Sequence, residues 1–184
     1  MDKINKLIEL IKLNSYKRSD DRIFKLASGK MSSFYFNLKK TTYTAEGQYL
    51  TGSLFFDKIT ELNLKIDAIG GLTMGADPIA AATAYTSYLK GAPINAVVIR
   101  KEPKDHGTML RVEGNFREGD KIVVVDDVIT TGGSTIRAVK AAREAGLLVV
   151  AAIVLLDRCE ENGKQNIEEM GLPVYSILDI NDFR

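Results

Sequence analysis

The chain has 184 residues, a net charge of +1 and one cysteine. This length suits one domain that buries most of its apolar surface, about 70% for a chain of this size. The near-zero charge excludes bulk attraction to nucleic acid or to a membrane, so any anion site must be local. The single cysteine excludes an internal disulfide. The longest apolar run is shorter than the ~20 residues of a transmembrane helix, and no signal-peptide core is present. These features predict a cytoplasmic protein.

The N-terminal segment is predicted to contain a helix followed by short strands. Residues 2–13 place apolar side chains at helical spacing, which predicts an amphipathic helix packed on the domain or on a partner. Residues 24–41 contain two strand-like pieces around a Ser-Gly-Lys turn, and the second piece carries the aromatic run 34–36. Such a run is typical of a buried edge strand. It also suits a lid in which a ring stacks on a planar ligand.

A first strand–turn–helix unit follows a helix that is predicted at 46–62. Residues 66–70 predict a strand, and three glycines mark a tight turn after it. Asp77-Pro78 suits a helix start, because proline favours the first helical position. This turn can bind an anion, or it can serve only to connect the strand to the helix.

Residues 100–120 form a long polar stretch after a strand that is predicted at 94–99. Loops of this length in compact domains are usually functional or disordered. The start of the stretch carries four groups able to hold positive charge: Arg100, Lys101, Lys104 and His106. They predict a mobile lid that closes over a polyanion. The plain alternative is a solvated loop whose charges have no role.

The most informative stretch is 121–135, with the sequence KIVVVDDVITTGGST. Its apolar and mostly β-branched run predicts a buried strand, which the adjacent Asp126 and Asp127 are expected to end. A turn rich in glycine and hydroxyl groups follows, and residues 136–145 predict a helix. Free N–H groups at the helix start make this turn an anion site. Two carboxylates beside it imply a ligand that also carries hydroxyl groups, such as a sugar phosphate.

Three other interpretations of this stretch were compared with the sugar-phosphate site. No Gly-Lys-Ser/Thr follows the glycines, which argues against a Walker A loop. The pattern G-x-G-x-x-G is absent, which argues against a dinucleotide fingerprint. An acidic pair at a strand end could instead hold Mg²⁺ for phosphotransfer to aspartate, although this turn supplies its own phosphate donors. An ordinary strand-to-helix turn is the remaining alternative.

The C-terminal part is predicted to supply the centre of the sheet. Residues 147–156 predict a fully apolar strand that ends in Leu-Asp-Arg, and Arg158 is placed there to meet a ligand. A surface ion pair with a following glutamate is the plain alternative. A short helix at 163–170 and a strand at 174–180 follow. This alternation predicts an α/β fold with a mostly parallel central sheet flanked by helices.

Residues 123–135 closely resemble the phosphoribosyl diphosphate signature of type I phosphoribosyltransferases. Three further motifs resemble the orotate phosphoribosyltransferases: Leu-x-Ser-Gly before an aromatic run and Asn at 26–37, Arg-Lys-x-x-Lys-x-His-Gly at 100–107, and Leu-Asp-Arg at 156–158. The resemblance covers essentially the whole chain. It implies the type I phosphoribosyltransferase fold as one domain over 1–184, with a small N-terminal hood at 1–45 and a mobile catalytic loop at 100–119.

The resemblance also implies a reaction, namely the transfer of phosphoribose from 5-phosphoribosyl 1-diphosphate to orotate. The products would be orotidine 5-phosphate and diphosphate, in de novo pyrimidine biosynthesis. The C1–O bond breaks early in this reaction, so catalysis rests mainly on positioning and charge stabilisation. Mg²⁺ is the expected cofactor, carried by the ligand without a direct protein site. A homodimer is expected, because in this family the loop reaches into the neighbouring site; nucleic acid and membrane partners are not.

The resemblance assigns roles to individual residues. The expected catalytic residues are Lys101, Lys104, His106, Asp126 and Asp127. Phosphoribosyl diphosphate is expected to contact these five and also Arg100, Thr73, Met74, Val128, Ile129, Thr130, Thr131, Gly132, Gly133 and Ser134. Orotate is expected to contact Thr130, Arg158, Tyr35 and Phe36. In these roles Asp126 and Asp127 face the ribose hydroxyls, and the glycine-rich turn that follows them holds the 5-phosphate. The cations of the loop neutralise the leaving diphosphate.

Two positions depart from the family pattern. The better-known members carry a lysine directly before Ser-Gly, where this chain has Ala27. Some members carry a lysine in the turn after the strand 66–70, which we call the first turn, and this chain has Gly75 there. The alternative functions are transfer to another base and sensing of phosphoribosyl diphosphate without catalysis. The loop motif and Arg158 favour orotate. The short chain and near-zero charge argue against the nucleic-acid-binding module that such a sensor usually carries.

Overall fold

A computed structural model describes residues 2–21, 23–25, 29, 31–102 and 111–184. The helices are α1 (Lys3–Asn14), α2 (Lys39–Thr42), α3 (Ala45–Glu61), α4 (Asp77–Leu89), α5 (Gly133–Glu144) and α6 (Gly163–Glu168), followed by a 3-10 turn at Ile180–Phe183. The strands are β1 (Tyr16–Arg18), β2 (Phe24–Lys25), β3 (Met31–Ser32), β4 (Phe34–Phe36), β5 (Ala68–Leu72), β6 (Asn95–Ile99), β7 (Val112–Gly114), β8 (Lys121–Ile129), β9 (Leu148–Asp157) and β10 (Val174–Asp179). In these described ranges, no helix has both the length and the apolar character needed to cross a membrane.

The central sheet has six strands in the order β10-β9-β8-β5-β6-β7. Neighbouring strands are parallel, except that β7 runs antiparallel to β6. The chain moves outward from β5 to β6 on one side and from β8 to β10 on the other, so the strand order reverses between β5 and β8. The carboxyl ends of these two strands therefore flank a crevice, which is where open sheets of this kind bind ligands.

Both faces of the sheet are covered by helices. On one face, Val123 and Val125 of β8 belong to a core that includes Phe55 of α3 and residues of α1 and α4. On the other face, Ile122 and Val124 pack with the apolar side of α5. Because β8 is buried on both sides, its sequence is a continuous apolar run and not an alternating one. The predicted α/β fold with a mostly parallel sheet is confirmed.

The N-terminal segment lies outside the central sheet and forms two small antiparallel pairs, β1 with β4 and β2 with β3. It begins with α1, where the side chain of Asp2 accepts the N–H of Asn5 at 2.8 Å as a helix cap. The hydroxyl of Tyr16 donates to the carbonyl oxygen of Phe183 at 3.0 Å. This bond ties the start of the chain to its last turn.

The end of β8 differs from the sequence prediction. Asp126 and Asp127 do not end the strand, which continues to Ile129 because β9 supplies a parallel partner as far as Asp157. The helix after it begins at Gly133 and not at residue 136. The acids therefore sit on a rigid ladder instead of in a loop.

Four short elements were not predicted, namely β1, α2, β7 and the 3-10 turn at Ile180–Phe183. The polar stretch 100–120 contains β7, which pairs with β6 through the register Val97 with Gly114. The four residues of α2 form a helical turn between β4 and α3. Elements this short are too brief to show a periodic pattern in the sequence.

Leu155 and Leu148 test the burial of β9, because they lie in one strand with exposures of 0% and 53%. Leu155→Ala should lower the free energy of unfolding by about 2–5 kcal/mol, since it leaves a cavity in the core. Leu148→Ala should change it by less than about 1 kcal/mol, as expected at the surface. Denaturant unfolding measures both values, and equal losses would contradict the described core.

Candidate active site

Asp126 and Asp127 lie next to each other in β8 and are only 5% and 6% exposed. Asp126 accepts a hydrogen bond from the Thr135 hydroxyl at 3.0 Å and another from the backbone N–H of Asp127 at 3.0 Å. Consecutive strand residues point to opposite faces, so Asp126 faces α5 while Asp127 faces the side of α4. The two carboxylates therefore border the crevice from both faces of the sheet.

The environment of Asp126 favours its protonated form. Burial raises the pKa of Asp126 to about 7, the charge of Asp127 adds to the rise, and the hydrogen bond from Thr135 partly offsets it. Burial acts in this direction because it removes water from the charged form. Asp126 therefore keeps its proton to a higher pH than an ordinary aspartate does.

The turn after β8 is shaped by Gly132, which caps α5 with φ of +79°. This left-handed conformation is natural for glycine and rare for other residues. A Cβ at this position would also lie 2.7 Å from the carbonyl oxygen of Gly163. From α6, the side-chain amide of Asn166 donates to the carbonyl oxygen of Thr131 at 2.9 Å and holds the turn. The N-terminus of α5 thus stands at the crevice, an arrangement that binds phosphate.

The turn after β5 lies beside Asp127. The N–H of Thr73 donates to the carbonyl oxygen of Ile99 at 2.8 Å, and its hydroxyl donates to Asp77 Oδ2 at 2.7 Å. A Cβ on Gly75 would lie 2.6 Å from Asp127 Oδ1, so only glycine fits this close approach without moving the acid. Gly75 thus lies in direct contact range of the second acid.

Lys39 and Tyr43 were missed by the sequence analysis and lie at this site. Lys39 Nζ is 3.5 Å from Asp127 Oδ2, and the Tyr43 hydroxyl donates to the carbonyl oxygen of Met74 at 3.2 Å. The segment around α2 thus contacts both the second acid and the first turn. The signal in the sequence was a pair of lysines after the aromatic run, but nothing in the pattern places them near Asp127. Thr135 was missed as well, although it lies inside the quoted signature.

Arg158 lies at the end of β9, and its side chain is only 5% exposed. Its Nε donates to Glu160 Oε2 at 3.1 Å, and its Nη2 donates to Ser32 Oγ at 3.0 Å and to the carbonyl oxygen of Phe34 at 3.2 Å. The guanidinium also lies 5.8 Å from the centre of the Phe36 ring. Arg158 therefore joins β3 and β4 to the central sheet.

The residues predicted to bind the planar base differ in exposure. Phe36 is buried, while Tyr35, on the opposite side of β4, is partly exposed. Thr130 is half-buried at the start of the second turn. Arg158 and Phe36 are thus in contact with each other, whereas Tyr35 stacks with Phe24 at a ring-centre distance of 5.7 Å.

The start of the loop after β6 is partly described. Arg100 Nη1 lies 3.2 Å from Glu113 Oε1, and Lys101 is exposed. Lys104 and His106 lie outside the described residues. Because the N–H of Thr73 bonds to the last residue of β6, the loop begins directly beside the first turn.

The remaining residues that are predicted to bind phosphoribosyl diphosphate lie at the ends of strands or directly after them. Val128 and Ile129 complete β8, and the turn residues Thr130 to Ser134 follow them. Thr73 and Met74 follow β5 across the crevice. The described members of the predicted set therefore gather at one edge of the sheet.

This site defines a class of protein: an α/β protein with paired carboxylates and a helix N-terminus at the point where its strand order reverses. A model of the family "phosphoribosyl transferase domain" matches residues 47–173. The chain is 46% identical to the orotate phosphoribosyltransferase of Aquifex aeolicus over 177 residues, which are 96% of this chain and 95% of that one.

Two solved structures have a similar fold. The phosphoribosyltransferase from Corynebacterium diphtheriae has a TM-score of 0.83 and 34% identity, over 99% of this chain and 98% of that one. The orotate phosphoribosyltransferase of Mycobacterium tuberculosis, in complex with 5-phospho-alpha-D-ribosyl 1-diphosphate, has a TM-score of 0.80 and 31% identity, over 98% of each chain. This chain therefore belongs to the phosphoribosyltransferase family, in its orotate phosphoribosyltransferase group, and the resemblance found in the sequence is confirmed.

The stability of the ligand-free protein should depend on pH through Asp126. Its pKa of about 7 in the folded protein exceeds the ordinary value of 3.8, so the stabilisation is complete below about pH 4 and is lost as pH rises through 7. The melting temperature of the wild type, relative to Asp126→Asn, should therefore fall as pH rises from about 5 to about 7.5. Asp57→Asn, at a surface ion pair with Lys3, is the control. A pH-independent difference between the wild type and Asp126→Asn would contradict the raised pKa.

Proposed function

We propose that this protein is an orotate phosphoribosyltransferase of de novo pyrimidine biosynthesis. It transfers phosphoribose from 5-phosphoribosyl 1-diphosphate to orotate and forms orotidine 5-phosphate and diphosphate. The observation that carries the proposal is the similarity to proteins of this name over nearly the whole chain. The paired acids and the helix N-terminus at one crevice support a donor that carries both hydroxyl and phosphate groups.

The donor occupies the crevice between β5 and β8. Asp126 and Asp127 face its ribose hydroxyls and help to offset the positive charge that develops when the C1–O bond breaks. The turn 130–134 anchors the 5-phosphate with backbone N–H groups at the start of α5. Thr73 and Met74 hold the diphosphate. This assignment is supported by the position of the two turns on either side of the same crevice.

The loop 100–119 closes over the diphosphate. Arg100, Lys101, Lys104 and His106 neutralise its charge, and Lys101 or Lys104 gives a proton to the leaving group. The start of the loop beside the first turn supports this role. The proposal includes a homodimer in which each loop acts in the neighbouring site. It also includes a single domain with its hood at 1–45, and a cytoplasmic location.

Orotate lies between the hood and the end of β9. Arg158 pairs with its carboxylate, and Thr130, Tyr35 and Phe36 contact the ring. Because Arg158 bonds to Glu160 and to the hood, the orotate carboxylate would replace one of these partners. A guanidinium suits this exchange, because its planar donors match a carboxylate in a two-bond pairing.

Mg²⁺ is the proposed cofactor, and the donor carries it. In the described ranges, no group of three His, Cys, Asp or Glu side chains is arranged to hold a metal. Asp126 and Asp127 offer the oxygen atoms that Mg²⁺ prefers, and this ion keeps most of its coordination for water and substrate phosphates. An ion carried by the donor would reduce the negative charge of the diphosphate.

The reaction is tested by following the ultraviolet absorbance of orotate with phosphoribosyl diphosphate and Mg²⁺ present. Loss of orotate that requires both additions is expected. Adenine, hypoxanthine, guanine and uracil replace orotate in parallel reactions. Turnover of a purine alone would replace the proposed base, whereas binding of the donor without turnover of any base would favour the sensor.

The role of the loop is tested with Lys101→Ala. Loss of a proton donor should lower kcat by about 10²–10⁴-fold, while the Kd of orotate changes less than about twofold. Lys140→Ala, an exposed lysine on α5, is the control and should behave as the wild type. Equal losses in kcat and in orotate binding would exclude the proposed role.

The shared site is tested by mixing two inactive variants, Lys101→Ala and Asp127→Asn. Random exchange of subunits in equal amounts should give mixed dimers with one intact site and restore about a quarter of the wild-type activity. Each variant incubated with itself is the control. Mixed dimers without activity would show that the loop acts within its own subunit.

A further inference from the structure

We infer that Lys39 is a donor-positioning residue, whose ammonium group holds the carboxylate of Asp127 and binds phosphoribosyl diphosphate beside it. The inference rests on the proposed function and adds to it a residue outside the four motifs that carry the family resemblance. It also identifies a source for the positive charge that Gly75 does not supply.

The position of Lys39 relative to Asp127 is the first observation. Lys39 Nζ lies 3.5 Å from Asp127 Oδ2, and the lysine side chain is 48% exposed while that of the acid is 8% exposed. An ammonium group has three donors, so contact with one carboxylate leaves others for a ligand. The ammonium group therefore lies at the opening of the crevice. One of its N–H groups can contact Asp127, and the others can contact phosphoribosyl diphosphate.

The backbone that carries Lys39 is fixed in place. Thr41 and Thr42 of α2 are fully buried, and Thr41 Oγ1 lies 2.6 Å from Ser15 Oγ at the end of α1. The hydroxyl of Tyr43 bonds to the carbonyl oxygen of Met74 in the first turn. Lys39 is thus presented by a segment attached to the same turn that holds the diphosphate.

The charge balance of the crevice supports a role for this lysine. Asp126 and Asp127 are adjacent and buried, and a buried charge is costly unless it is paired. Within the part of the chain that the structure describes, Lys39 supplies the one cation within 4.0 Å of either acid. Without it, Asp127 would repel the diphosphate of the donor more strongly.

Gly75 carries no charge, whereas Lys39 of α2 brings a cation to the same acid. Some members of the family carry a lysine at this place, but here a Cβ would lie 2.6 Å from Asp127 Oδ1. A side chain at this position would displace the acid. Lys39 reaches the same carboxylate through its other oxygen, so it supplies the positive charge without crowding the turn.

The test measures the Kd of phosphoribosyl diphosphate with Mg²⁺ by calorimetry, without any base. Lys39→Met removes the charge and retains an unbranched stem, and it should raise Kd about 10- to 100-fold, the range for losing a charged hydrogen bond. Lys39→Arg should restore Kd to within about threefold of the wild type, because the positive charge returns. Lys40→Ala, at the exposed neighbour in the same helix, is the matched control and should leave Kd unchanged.

Kinetics separate a positioning role from a structural one. With orotate, Lys39→Met should raise the KM for phosphoribosyl diphosphate far more than the KM for orotate, and Lys39→Arg should reverse this change because it keeps a cation beside Asp127. An unchanged Kd in Lys39→Met would overturn the inference. So would an equal loss in Lys40→Ala, or a loss that accompanies a lower melting temperature and is not restored by arginine.

The binding experiment also distinguishes this inference from the proposed function. Wild-type protein that binds the donor but transfers phosphoribose to another base would refute the orotate proposal, yet the comparison of Lys39 variants would stand. Conversely, orotate turnover by the wild type with an unchanged Kd in Lys39→Met would refute only the role of Lys39.

Discussion

The site depends on two adjacent carboxylates held on a buried strand at the point where the strand order reverses. Placing Asp126 and Asp127 there has an electrostatic cost, because both are removed from water and each repels the other. The surroundings offset this cost differently on the two faces of the sheet. Asp126 accepts a hydrogen bond from the Thr135 hydroxyl, and its raised pKa favours the uncharged form. Asp127 is paired with the ammonium group of Lys39. The pair is thus prepared for a ligand that brings both hydroxyl groups and negative charge.

The position of the acids follows from the pairing of the strands. β9 continues beside β8 as far as the pair formed by Ile129 and Asp157, so the backbone at both acids is part of a ladder. A rigid ladder holds the carboxylates more accurately than a loop does, which matters when catalysis rests on positioning.

Much of this architecture could be predicted from the sequence, because it is expressed in local patterns. The apolar run of β8, the glycine turn and the amphipathic α5 each have their own signature, and their order fixes an anion site. The ion pair between Lys39 and Asp127 could not be predicted, since it joins residues 39 and 127 through a helix of four residues. The burial of Arg158 could not be predicted either, because it depends on the contacts that Ser32 and Phe34 of the hood make with it.

The N-terminal segment connects the two halves of the site. Ser32 and Phe34 hold Arg158, at the proposed base pocket, and a few residues later Lys39 contacts Asp127 at the proposed donor pocket. β4 pairs with β1, and α2 is anchored by the buried Thr41 and Thr42, so the segment that contacts Arg158 and carries Lys39 is held along its length. The relative position of the proposed base and donor pockets is therefore set by this one segment.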